Sequence, residues 1–190
     1  MRETEVTAQV YGKLEDIKNS ILSRGFKLTK EYEMTDYYFT QMADYKSLYD
    51  KDLLKSSLIV RTVEKENSKS TKIVYKNKEI DECGNVVSEE KTELLCDDAD
   101  KAIKIFESAG LHNWCVLKNH SFVYDKGLIS FALQAIESLG TFIECEENAE
   151  MERLSTEEKL AALKATVNNL GLNLGDDYSC KKPYLMLHKK

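Results

Sequence analysis

"ETEVTAQV", residues 3–10, places Glu3, Glu5, Thr7 and Gln9 on one side and Thr4, Val6, Ala8 and Val10 on the other. Alternation at period two is the pattern of a β-strand with one apolar and one polar face. "TFIECEE", residues 141–147, has the same form, with Glu144 and Glu146 alternating with Ile143 and Cys145. Two strands far apart in the chain thus each carry a Glu-x-Glu pair. The fold follows from where those polar faces point.

Between them the chain alternates short turns with extended segments. "GKLEDIKNSILSRGF" sets Leu14, Ile17, Ile21 and Leu22 on one helical face and stops at Gly25. "EYEMTDYYF" suits a strand, and residues 56–80 read as two strands linked by Asn67-Ser68-Lys69-Ser70. A turn is expected around Gly84-Asn85, followed by a strand through "VVSEEKTELL". Asp97 or Asp98 can cap a second helix whose apolar side is Ala102, Ile103, Phe106 and Ala109, with Gly110 closing it. Three more strands follow, with turns at Asp125-Lys126-Gly127 and Ser138-Leu139-Gly140. Ser155 and Glu158 form a capping box for a third helix with the stripe Leu160, Leu163, Val167 and Leu170. The closing "KKPYLMLHKK" is expected to be a short strand.

About eight strands joined by short turns favour antiparallel neighbours, and about eight can close into a small barrel. The expected fold is therefore α+β: a closed or nearly closed antiparallel β-barrel with flanking helices, with residues 1–190 as a single domain.

In such a barrel the charged strand faces point into the lumen. Lys72, Val74 and Lys76 share a face, as do Glu89, Lys91 and Glu93, and Arg61 alternates with apolar neighbours. Each Glu-x-Glu projects two carboxylates roughly 7 Å apart along its strand. Two such pairs offer hard oxygen ligands to Mg²⁺ or Mn²⁺, and arginine and lysine facing them would take phosphate oxygens. The same alternation also describes a solvated sheet face laced by cross-strand ion pairs.

Composition narrows the classes. The 190 residues are 42% hydrophobic and 32% charged, with a formal net charge of −6, which argues against a duplex-binding protein. Lysines nonetheless concentrate between Lys65 and Lys78, leaving room for a local anion site. Five cysteines without Cys-x-x-Cys spacing and three scattered histidines suggest neither a disulfide framework nor structural zinc. The opening "MRETEVTAQV" lacks an apolar signal core, and no run approaches the ~20 apolar residues of a membrane span. The expectation is a soluble cytoplasmic protein with no nucleic-acid or membrane partner, for which a homodimer is allowed.

The order of these pieces resembles the CYTH superfamily, which groups class IV adenylyl cyclases with thiamine triphosphatases and inorganic triphosphatases. Glu3, Glu5 and Thr7 fall on its opening Glu-x-Glu-x-Lys; Asp36, Tyr37, Tyr38 and Phe39 match an Asp-x-Tyr-Phe-like strand. "LIVR", ending at Arg61, matches Leu-Arg-x-Arg, and Val74-Tyr75-Lys76 matches Thr-x-Lys. Leu139, Gly140, Phe142, Glu144 and Glu146 match Leu-Gly-x-Phe-x-Glu-x-Glu, and "PYLML" also fits. The resemblance implies a triphosphate tunnel whose lumen binds metal and triphosphate. This chain departs from the pattern at Thr7 for a lysine, Ile59 for an arginine and Gln134 for an aspartate. Lys118, Asn119 and His120 stand where a basic cluster is expected, and Glu89 where an arginine often stands. The acidic side is kept better than the basic side.

Two readings follow. In the first, Glu3, Glu5, Glu144 and Glu146 bind Mg²⁺ or Mn²⁺, Arg61, Lys72, Lys76 and Lys118 hold phosphates, and Glu90 or Glu93 completes the metal site or activates water. The substrate would be tripolyphosphate, thiamine triphosphate or a nucleoside triphosphate, with hydrolysis or conversion of ATP to cyclic AMP as the outcome. In the second, the missing basic groups leave a weak or inactive protein that binds another anionic ligand on the same scaffold.

Overall fold

A computed structural model describes residues 4–46, 53, 55–80 and 86–189. Glu3 and the expected Gly84-Asn85 turn lie outside the described residues. The elements are β1 (Glu5–Val10), α1 (Leu14–Ser23), β2 (Lys27–Thr40), β3 (Ser56–Lys65), β4 (Ser68–Ile80), β5 (Val86–Cys96), α2 (Ala99–Ser108), β6 (His112–Lys126), β7 (Ile129–Ile136), β8 (Gly140–Glu146), α3 (Thr156–Asn168) and α4 (Lys182–Leu187). A 3-10 turn, Ala149–Met151, follows β8.

The strands form an eight-stranded sheet in the order β1-β8-β7-β6-β2-β3-β4-β5. The registered ladders are antiparallel, as the short turns imply. Among the described residues the order begins at β1 and ends at β5, and the hydrogen bonds there do not close the expected barrel. The outer edge of β1 is used otherwise. Thr7 N donates to Tyr178 O (3.0 Å), Cys180 N to Thr7 O (3.1 Å), Gly175 N to Gln9 O (2.9 Å) and Tyr11 N to Asn173 O (2.8 Å). The segment after α3 thus satisfies main-chain groups that an edge strand would leave open.

The chain divides into two compact units, one of residues 33–118 and 182–189, the other of 4–32 and 119–181. In the second, Val6, Ala8 and Val10 of β1, Phe122 and Tyr124 of β6, Leu133 of β7 and Ile143 of β8 turn their apolar faces to Ile17, Ile21, Leu163, Val167 and Leu170. Helix α3 packs on β1 and β8. Its Ser155–Glu158 capping box is present in both directions. In the first unit, Phe39, Val60 and Ala102 form the core, with Ile103 and Phe106 of α2 packed on it. Asp98 is the cap of α2, its carboxylate accepting from Lys101 N at 3.0 Å.

Three expectations are corrected. The β3–β4 link is only Glu66-Asn67, with Lys65 paired to Ser68, so Ser68, Lys69 and Ser70 belong to β4. Residues 182–187 are helical rather than a strand, and Pro183 sits in the first turn, where its missing N–H has no partner to lose. Leu22 is exposed, since it lies about 100° round the helix from Ile21.

Candidate functional site

In the second unit the face of the sheet opposite the core carries the acids. Glu5 pairs with Glu146 and Thr7 with Glu144 across β1 and β8, and Glu144 pairs with Ala132 of β7. Partners directly across a ladder share a face, so Glu5, Thr7, Glu144 and Glu146 are neighbours. One carboxylate oxygen from each of Glu5, Glu144 and Glu146 lies within 4.8 Å of the others. Glu144 is half-buried; Glu5 and Glu146 are exposed. The donor set is all hard oxygen, as Mg²⁺ and Mn²⁺ prefer. Along the same face lie buried neutral polar groups, with Gln134 paired to Ser121 and to Phe142.

Glu147, one residue past β8, fixes the start of β1. Its N–H donates to Thr4 O (2.9 Å), and its Oε2 accepts from Thr4 N (3.2 Å) and Lys159 Nζ (3.0 Å). Burial raises its pKa, but the bonds from Lys159 and Thr4 outweigh this and leave it lowered. The Glu-x-Glu pattern did not mark Glu147; its place next to the pair is the only signal.

In the first unit one face of β2–β5 carries cations, each beside a carboxylate. Arg61 donates from Nε and Nη2 to the two oxygens of buried Asp36, both at 2.7 Å. Lys72 meets Glu93 at 2.8 Å and Lys91 meets the other oxygen of Glu93 at 2.8 Å. Lys76 and Lys78 share Glu89 at 2.7 and 3.2 Å. Hydrogen bonds from Lys72 and then Lys91 hold the Glu93 carboxyl down to about 2, against a smaller opposing effect of burial. For Glu89 burial raises the pKa, yet Lys76 and Lys78 together bring it below the ordinary range.

The sequence-based site residues therefore separate. Glu5, Glu144 and Glu146 come together; Arg61, Lys72 and Lys76 share a face, with Arg61 directly opposite Lys72. Glu93 joins that face. Glu90 does not: it pairs with Asn77 and points to the other side of β5. Lys118 is exposed on the side of β6 that also carries His120 and Phe122, away from Asn119 and Ser121. His120 is held by Glu31 (2.7 Å) and stacks on Phe122. Asp36 was read only as part of a motif; its pairing with Arg61 needs the β2–β3 register, which places the two opposite each other.

No family model matches the chain. A Methanocaldococcus jannaschii protein, MJ0240, described as a "Putative adenylate cyclase", is 25% identical over 98% of both chains. Among solved structures, a Vibrio parahaemolyticus protein described as a "putative adenylate cyclase" superposes with a TM-score of 0.70 at 14% identity, covering 100% of this chain and 99% of that one. HpAC1 of Hippeastrum, described as a "Putative adenylyl cyclase" with a dominant triphosphatase activity, gives a TM-score of 0.63 at 16% identity over 98% and 95% of the chains. Together these likenesses show that the chain shares its fold with those structures.

Proposed function

We propose that this chain turns over a triphosphate compound with the help of a divalent cation. The observation that carries the reading is the convergence of Glu5, Glu144 and Glu146 on one face, from strands more than a hundred residues apart in sequence. In this proposal those three, with Glu3 of the opening pair, hold Mg²⁺ or Mn²⁺. Arg61, Lys72 and Lys76 take phosphate oxygens, and the tunnel form expected from the sequence is part of the same proposal. Lys118 and Glu90 have no role in it, because each faces the other side of its strand. Glu93 serves to hold Lys72 and Lys91, since a carboxylate held near 2 is a poor proton acceptor at neutral pH. The bound cation would supply charge neutralisation at the phosphates. Support comes also from the similar proteins, described as "putative adenylate cyclase" or, for HpAC1, by a dominant triphosphatase activity.

A second reading is favoured by one observation. Arg61, Lys72, Lys76, Lys78 and Lys91 each already meet a carboxylate, so phosphate must share or displace those partners. A chain that binds without turnover would follow. Incubation with Mg²⁺ or Mn²⁺ and tripolyphosphate, ATP or thiamine triphosphate, assayed for phosphate, pyrophosphate and cyclic AMP, decides between them. The proposal expects metal-dependent product from at least one substrate. Binding with no product supports the second reading, and neither binding nor product refutes both.

A further inference from the structure

β5 ends the sheet order, beyond β4. Among the described residues no strand or loop pairs with its outer edge, whereas the edge of β1 is covered by the segment after α3. β5 is eleven residues long, roughly twice the commonest strand length. Its ladder to β4 is regular from Ser88 to Cys96; the irregularity lies at Glu79/Ile80, opposite the start of β5. Edge strands are usually guarded by brevity, proline or a bulge. The stretch from Glu90 to Leu95 has neither proline nor bulge, and each of its residues is exposed. Leu94 and Leu95, on opposite faces of the strand, are 65% and 74% exposed. Tyr75, which faces Thr92 across the ladder and so lies beside Leu94, is 45% exposed.

Such an edge offers main-chain N–H and C=O groups, together with apolar surface, to another strand. The charges decide which strand fits. Two copies joined edge to edge by a two-fold axis normal to the sheet must bring residues of the same face opposite one another. The axis therefore passes between one residue and its own copy. Centred on Glu89, Glu90, Lys91 or Glu93, the pairing sets like charges face to face. Centred on Leu94, it overruns the end of β5 at Cys96 and sets Glu90 against Asp98. Centred on Thr92, it brings two hydroxyls together, which can hydrogen-bond, and sets Lys91 of each copy opposite Glu93 of the other. Lys91 already meets Glu93 of its own strand at 2.8 Å. The four groups then form a square of alternating charge on one face. An unrelated strand has no reason to carry that complement; a second copy carries it by symmetry.

We infer that the free edge of β5 pairs antiparallel with β5 of a second copy, with Thr92 on the two-fold axis, so that one sheet runs through both protomers. The inference uses neither the metal nor the triphosphate reading.

The test is sedimentation equilibrium of the whole chain over concentrations from about 1 to about 200 μM. A monomer–dimer equilibrium is expected, with a dissociation constant on the order of 10 μM, since one strand edge is a small contact. Lys91→Glu, checked by circular dichroism, sets like charges at both cross-strand contacts and is expected to weaken the dimer at least about tenfold. Adding Glu93→Lys restores opposite signs and is expected to return the dissociation constant to within about threefold of the unaltered chain, a recovery that a merely structural role would not give. Thr92→Cys under oxidising conditions is expected to give a covalent dimer on a non-reducing gel, absent from the unaltered chain and from Leu94→Cys, because only position 92 meets its own copy. That variant changes one exposed position and serves if the charge variants do not fold. A monomer up to the highest concentration, a dimer that Lys91→Glu leaves unchanged, or a dimer that Thr92→Cys does not cross-link overturns the inference.

Discussion

Replacing Asp36 by Asn removes one charge from a pair that is almost wholly enclosed. The side chains of Arg61 and Asp36 are 19% and 4% exposed, and two charge-assisted bonds of 2.7 Å join them. An amide has the shape of the carboxylate but only one acceptor oxygen, so one guanidinium N–H loses its partner and the charge of Arg61 is left uncompensated. Breaking a buried pair from one side costs about 3–5 kcal/mol; because Arg61 keeps some contact with water, the lower end, about 3 kcal/mol, is expected here. In urea, with a slope of about 1–3 kcal/mol per molar, that moves the unfolding midpoint down by at least about 1 M. The double change Asp36→Leu with Arg61→Met, which removes both charges, should recover most of the loss. The same pair fixes the direction of the guanidinium that the proposal assigns to phosphate, so Asp36→Asn should also weaken triphosphate binding. A midpoint within about 0.3 M of the unaltered chain would refute the claim that this ion pair is built into the structure of the sheet.

Two further outcomes follow from the packing and charge. Leu163→Ala, at 1% exposure in the α3 stripe, should destabilise the chain by about 2–5 kcal/mol in urea unfolding, whereas Leu22→Ala on the exposed side of α1 should cost under about 1 kcal/mol. Glu93 has a lowered pKa in the folded state, so its stabilising contribution is present above the ordinary carboxylate range and is lost as the pH falls from about 4.5 toward about 2. Its side chain is about one-third exposed, so solvent screening keeps the effect to the order of 1 kcal/mol. Acid titration monitored by circular dichroism should show Glu93→Gln losing less stability than the unaltered chain over that interval, and identical acid transitions would contradict the assignment.

Much of the fold could be read from period and punctuation. The alternation at residues 5–10 and 140–146 marked β1 and β8 because one face of each is fully apolar. Ser155 with Glu158, and Asp98 before Ala99, marked helix starts because a side-chain oxygen is needed there to satisfy free N–H groups. The final helix does not show in the pattern because six residues of "KPYLML" are too short for a helical period, although Pro183 suits a first turn. At the candidate site, Glu144 and Glu146 share a face by parity alone. By the same parity Glu90 and Glu93 cannot share one, and the separation of Glu90 from the cations was open to that argument. What parity cannot give is register. The meeting of Glu5 with Glu146 and of Asp36 with Arg61 depends on how strands slide against one another, which the whole packed core decides.

The most direct test of the account is a Mn²⁺ titration of the unaltered chain and of Glu144→Gln, read by calorimetry or by loss of the free-ion paramagnetic signal. Glu144 is the half-buried member of the trio, and the amide keeps its size while removing its charge. The account expects a single site in the unaltered chain, at least about tenfold weaker in the variant, with the unfolding midpoint unchanged. Equal Mn²⁺ affinity in the two folded proteins would contradict the claim that Glu5, Glu144 and Glu146 form a metal site.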